Sequence, residues 1–118
     1  MVSCQQPAKE IETAWLGPFE KPAQNPILEP DSTYTFKDPI TDSIVHWQQA
    51  DVFNPAAIVK NDTVFMLFRA EDNPDAILGR RTSRIGLAYS TNGMDFTRYP
   101  EPVVYPDSTK TLKWEYPG

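Results

Sequence analysis

Little in this chain of 118 residues supports disulfide, metal or membrane chemistry. It has one cysteine, so no internal disulfide can form, and one histidine, so the ligand sets of zinc sites cannot be assembled. No segment is apolar for long enough to cross a bilayer. Positive charge is scarce as well: 11 lysines and arginines are scattered among 16 acidic residues, giving a net charge of −5. Without a basic stripe to follow a phosphate backbone, nucleic acid is not an expected partner. Glycine is also sparse, whereas there are 12 prolines, several of them in Asn-Pro, Tyr-Pro or Glu-Pro pairs. Residues before proline are pushed towards extended geometry, which favours strands and loops over helices. An apolar content of 40% is that of a folded globular chain about one domain long.

Cys4 follows Met1, Val2 and Ser3 and precedes the polar run Gln5 to Glu10. That pattern matches the end of a bacterial lipoprotein signal stripped of its hydrophobic part, in which a small residue precedes the cysteine that is lipidated. The alternative is an ordinary free cysteine in a frayed terminus. Under the first reading, residues 1–17 form an exported tail, Cys4 is a lipidation site, and the protein is a periplasmic or outer-membrane lipoprotein held by a lipid anchor. A nucleophilic pair of Cys4 and His46 is not expected, because it would place a catalytic residue in a terminus with no strand around it.

Organisation becomes clear further on, with an arm over 18–50, a sheet over 51–105 and a connecting segment over 106–118. Val64, Met66, Phe68 and Ala70 alternate with Phe65, Leu67 and Arg69, and both sets are largely apolar. Such a strand is expected to be covered on both faces, and the run Ala56 to Val59 behaves likewise. The Lys-Asn-Asp stretch between them is a turn-former, which predicts a hairpin about Asn61 and Asp62. A second hairpin is expected about Asn92-Gly93, joining a strand from Ser83 to a fourth strand that runs on towards Tyr105. In the third strand Ile85, Leu87 and Tyr89 are large while Gly86, Ala88 and Ser90 are small, so one face is open to close approach.

Four consecutive antiparallel strands without a helix read as one blade of a β-propeller more readily than as a sandwich. A lone blade cannot bury two apolar faces. Either the chain is the N-terminal part of a longer protein, or something else supplies the missing contacts. Folding back about residues 61 and 62 sets Asn54 opposite Arg69 across the first hairpin, at side-chain distance. Glu71, Asp72 and Arg84 leave the sheet at the same end. Arginine offers a fork of donors, asparagine a donor and an acceptor, and carboxylates accept paired hydroxyl hydrogens, so such a rim suits a sugar. A structural ion-pair network around a loop is the competing reading for Arg69, Glu71, Asp72 and Arg84.

The series Val-Phe-Asn-Pro-Ala-Ala-Ile, Phe-Met-Leu-Phe-Arg-Ala-Glu-Asp, Ser-Arg-Ile-Gly-Leu-Ala-Tyr-Ser-Thr-Asn-Gly-Met-Asp-Phe and Pro-Val-Val-Tyr-Pro-Asp resembles glycoside hydrolase family 130. The resemblance covers roughly residues 17 to 118, with the motifs in order at suitable distances. It implies an all-β fold, the N-terminal portion of a five-bladed propeller, and inverting cleavage of a β-mannosidic bond by phosphate or by water. It implies no cofactor, with inorganic phosphate as co-substrate in the phosphorylase case. By the same resemblance Asn54 and Arg69 contact the mannose before the scissile bond, and Asp72 and Arg84 fall in matching motifs. The family's general acid is the aspartate of a Cys-Glu-Asp-Pro-Arg-like segment expected just after Tyr116, Pro117 and Gly118. No catalytic residue is therefore assigned within this chain, and the 118 residues alone are expected to be inactive. An exported enzyme would lose a sugar phosphate, so a lipidated Cys4 favours hydrolysis. Phosphorolysis in the cytoplasm, or a propeller that binds carbohydrate without cleaving it, are the alternatives. Trp15, Trp47 and Trp114 suit either sugar stacking or the core.

Overall fold

Among the residues that the computed structural model describes, 16–77 and 79–107, every regular element is a strand. Cys4, Trp15, Trp114 and the stretch Tyr116 to Gly118 lie outside them. Strands β1 (Phe36–Asp38) and β2 (Ser43–Val45) make a small hairpin within the arm. Strands β3 (Asp51–Lys60), β4 (Thr63–Glu71), β5 (Ser83–Ser90) and β6 (Thr97–Arg98) form one antiparallel sheet in that order.

The turn between β3 and β4 follows from its residues. Asn61 and Asp62 both have positive φ, at 51° and 59°, between the paired residues Lys60 and Thr63. Asparagine and aspartate tolerate that geometry, and a two-residue loop with both φ positive matches the right-handed twist of the strands it joins. From this turn the ladder runs regularly through Val59 with Val64, Ile58 with Phe65, Ala57 with Met66 and Ala56 with Leu67. It then shifts by one residue. Phe53, not Asn54, lies opposite Arg69, because β3 carries a bulge between Phe53 and Ala56. Within it Asn54 takes a φ of 51°. Pro55 has no N–H to give a ladder, and a bulge is a place in a strand where that lack is tolerated.

The second hairpin also departs from expectation. Tyr89 pairs with Thr97, so a wide loop replaces a two-residue turn at Asn92-Gly93. Side chains organise it: the Ser90 hydroxyl accepts from the N–H groups of Asn92 and Gly93, and Asn92 Oδ1 accepts from those of Met94 and Asp95. The fourth strand is short. After Arg98 the chain makes only the Tyr99 N–H bond to Leu87 before Pro100 and Pro102, and it rejoins β5 through a single bridge between Val104 and Ile85. Neither proline can donate to the ladder.

One face of the sheet holds the core. Met66, Phe68, Ala70 and Ala88 are buried there beneath the arm, with Trp47 fully buried and stacked on Phe68 at a centroid distance of 6.2 Å. Trp47 is thus a core residue, and its indole N–H donates to the Pro100 carbonyl at 3.1 Å. The small residues of β5 make this possible, since Gly86 lies directly under the Phe68 and Trp47 rings. Arg98 ties β6 to the arm by donating to the buried Gln48 side chain and to the Glu29 carbonyl. The opposite face is open, against the expectation that both faces are covered. Ala56, Ile58, Lys60, Phe65, Leu67 and Leu87 line a shallow apolar cavity of 410 Å³ on it.

A turn in the arm is held by Asp31, whose Oδ1 accepts from the N–H and the hydroxyl of Thr33. Those bonds to Thr33, together with the Arg98 charge, outweigh desolvation and hold the carboxyl below its ordinary value of 3.8. A carboxyl depressed by folding adds stability above its unfolded value and loses it as pH falls through the folded one. Asparagine mimics the protonated acid. The denaturation midpoints of the intact protein and its Asp31→Asn variant should therefore differ above pH 3.8 and converge below it. A constant gap across that range would show that the Asp31 charge contributes nothing.

Candidate functional site

Polar side chains collect at the end of the sheet away from the Asn61-Asp62 turn, where Asp51 pairs with Glu71 and Glu71 with Ser83. Side chains two apart on a strand share a face, so this end carries two separate clusters. One lies on the core side, the other on the open side.

Arg84 centres the first cluster. It is 2% exposed, one of its terminal nitrogens donates to Asp38 Oδ2, and the other donates to Asp72 Oδ2 at 2.7 Å. Its guanidinium also sits 5.1 Å from the centre of the Phe36 ring. Asp38 is itself fixed by the β1–β2 turn, whose Ile40 N–H it accepts at 2.7 Å, and Asp72 accepts the Thr82 N–H at 3.1 Å. Arg84 thereby locks the arm and both ends of the 72–83 loop to the sheet. An ion pair this dry is held by geometry rather than by net charge attraction, because desolvation offsets much of the Coulomb term.

Arg69 belongs to the second cluster, with Glu71 and Ser83. Its Nε donates to Ser83 Oγ at 2.9 Å and its Nη2 to Glu71 Oε1 at 3.0 Å, while the guanidinium lies over Phe53, 4.9 Å from the ring centre. The Arg69 side chain is 42% exposed and that of Glu71 only 6%. Arg81, from the loop, pairs with Asp51 and approaches Glu71 Oε2 at 3.5 Å. Asn54 is exposed in the bulge beside Phe53.

Of the four candidate residues, Asn54 and Arg69 lie at the same end of the sheet, with the bulge replacing direct opposition by a one-residue offset. Asp72 and Arg84 are joined to each other, on the core side. Ser83, Arg81 and Asp38 were not anticipated. Asp38 lies 46 residues from Arg84, and no local pattern links the two. The ring nitrogen Nδ1 of His46 hydrogen-bonds the Ser32 carbonyl oxygen at 2.7 Å.

An exposed asparagine and a half-exposed arginine at the rim of an antiparallel sheet offer donors and an acceptor that hydroxyl groups can meet. The chain belongs to glycoside hydrolase family 130, whose sequence profile, described as beta-1,4-mannooligosaccharide phosphorylase, matches residues 18–115. It is 38% identical over 68 residues to a 1,2-beta-oligomannan phosphorylase of Thermoanaerobacter sp. (strain X514), a match that covers 57% of this chain and 23% of that protein. A glycosyl hydrolase from Bacteroides ovatus superposes with a TM-score of 0.80 at 42% identity, over 86% of this chain and 29% of its own. A further structure comes from work describing glycoside hydrolases, within this family of mannoside phosphorylases, that target beta-1,2 mannosidic linkages in Candida mannan. It superposes with a TM-score of 0.79 at 42% identity, over 86% of this chain and 29% of its own. The chain therefore spans less than a third of the length of these relatives.

Proposed function

We propose that this chain is the first part of an enzyme that cleaves β-mannosidic bonds with inversion, passing the mannosyl group to inorganic phosphate. The profile match over 18–115, to a family described by a phosphorylase, carries this reading, and the relative from Thermoanaerobacter supports it. The preference for hydrolysis drawn from Cys4 takes second place. It is favoured by the likeness to the structure associated with β-1,2-mannoside hydrolases. Phosphorolysis goes with a cytoplasmic enzyme, hydrolysis with an exported, lipid-anchored one.

In this proposal the four-stranded sheet is the first blade of a five-bladed propeller, and later blades cover the open apolar face. Residues 1–17, 18–50, 51–105 and 106–118 are tail, arm, blade and connection. Asn54 and Arg69 hold the mannose unit of a β-mannoside oligosaccharide by its hydroxyls. Arg84 and Asp72, turned inward, support the loop beside them. The remainder of the intact protein supplies the general acid, so residues 1–118 alone are inactive. Inversion requires that acid to protonate the leaving glycosidic oxygen while a nucleophile attacks the anomeric carbon from the opposite side of the ring. With phosphate as nucleophile the product is α-mannose 1-phosphate; with water it is free mannose. Holding the ring in a reactive orientation is the part of catalysis given to the rim.

Incubating the intact protein with β-mannosides, with and without inorganic phosphate, should release mannose 1-phosphate only when phosphate is present. Free mannose formed equally well in both arms would establish hydrolysis instead. Arg69→Ala should lower kcat/KM by about 10- to 100-fold, the loss of one charge-assisted hydrogen bond of about 1.5–3 kcal/mol. Unchanged kinetics would remove Arg69 from the sugar site.

A further inference from the structure

Arg69 is held on one edge and one face. Its Nε donates to Ser83 Oγ, its Nη2 donates to Glu71 Oε1, and the Ser83 hydroxyl donates in turn to the same Glu71 oxygen at 3.1 Å. These three bonds close a ring along the Nε–Nη2 edge of the guanidinium, while Phe53 lies against its face. Nη1 has no hydrogen-bond partner among the described residues, although the side chain is 42% exposed. Nε and Nη2 each use one N–H in this ring, so the free donors are the two on Nη1 and the second on Nη2, all lying outside the ring. Glu71 is the anchor of the ring: it is nearly buried, and its second oxygen faces Arg81, which is itself paired with Asp51. Two strand ends and the 72–83 loop thus fix the orientation of one carboxylate, and that carboxylate fixes the orientation of Arg69.

We infer that Glu71, with Ser83, is a positioning residue for the reaction, presetting Arg69 so that its free Nη1 and Nη2 N–H groups are aimed at the bound sugar. The inference rests on the assignment of Arg69 to the mannose. A flexible arginine must give up rotamer freedom to bind a hydroxyl, whereas a clamped one has already lost it. Release of the clamp lets the donor wander by an ångström or more, an error that costs up to about 100-fold in rate.

The test is a double-mutant cycle on the intact protein, read as kcat/KM on a β-mannoside oligosaccharide. Glu71→Ala should lower the value by about 10- to 100-fold when Arg69 is present, and by less than about 2-fold in the Arg69→Ala background. A merely structural role has no reason to vanish when Arg69 is removed, so equal losses in both backgrounds would overturn the inference. If Glu71→Ala does not fold, Ser83→Ala gives the same reading, since it opens the ring without leaving a buried charge. Its loss should likewise disappear in the Arg69→Ala background, and an undiminished loss sinks the proposal. Should Arg69→Ala itself leave kcat/KM unchanged, it is the sugar assignment that fails, and the two failures are thereby distinguished.

Discussion

Gly86→Ala should destabilise the intact protein by about 3 kcal/mol, the upper end of the usual range for overpacking, and Gly86→Val should prevent folding. A Cβ at this position meets Phe68 Cζ first, then Phe68 Cε2 at 2.7 Å and Trp47 Cη2 at 2.8 Å. Real carbon atoms do not approach so closely. Neither ring can retreat easily: Phe68 is 1% exposed, Trp47 is fully buried, and the indole N–H is bonded to Pro100. Nor can the backbone yield, since Gly86 pairs with Phe68 in the middle of a regular stretch of the β4–β5 ladder. Thermal melting followed by near-ultraviolet circular dichroism reports the outcome, because displaced aromatic rings lose their fixed asymmetric surroundings. A melting point within a degree or so of the parent would mean that the stack slides freely, and the account of this core would be wrong.

Arg84→Ala is the second substitution with a large expected cost, about 3–5 kcal/mol. It removes the partner of two carboxylates at once. Asp72 lies close to the surface and can recover water, but the Asp38 side chain is only 7% exposed. Left without its cation, Asp38 must stay charged in a poor solvent or take up a proton, and either response weakens the fold. Adding Asp38→Asn to Arg84→Ala should return part of the loss, because the stranded charge then disappears; chemical denaturation of the single and double variants measures this. A cost below about 1 kcal/mol for Arg84→Ala would show that the backbone N–H groups of Ile40 and Thr41, which donate to Asp38 Oδ1 at 2.7 and 3.4 Å, suffice for that carboxylate.

Local chemistry explains which parts of this structure are legible in the sequence. The turn at Asn61-Asp62 and the strands it joins are, because two residues that accept positive φ stand between apolar runs. The alternation of small and large residues from Ile85 to Ser90 likewise foretells which face the rings approach. The bulge is signalled only by Pro55 inside a strand, and counting pairs outward from the turn passes over it. The β1–β2 hairpin is missed because three-residue strands leave no periodicity. Prolines 100 and 102, counted as extended residues, in fact interrupt the last strand. At the rim, Asn54, Arg69, Glu71 and Arg84 are visible as polar groups flanking apolar strands. The long-range partnership of Arg84 with Asp38 is a property of the folded chain and has no mark in either segment.

The kink at Asn54-Pro55 has a bearing on solution behaviour too. β3 is an outermost strand of its sheet, and a straight outer strand offers a template onto which a neighbouring molecule can add. A bend, together with a ring nitrogen that carries no hydrogen, spoils that template midway along its length. Addition of a further strand along the whole of this border is thereby disfavoured.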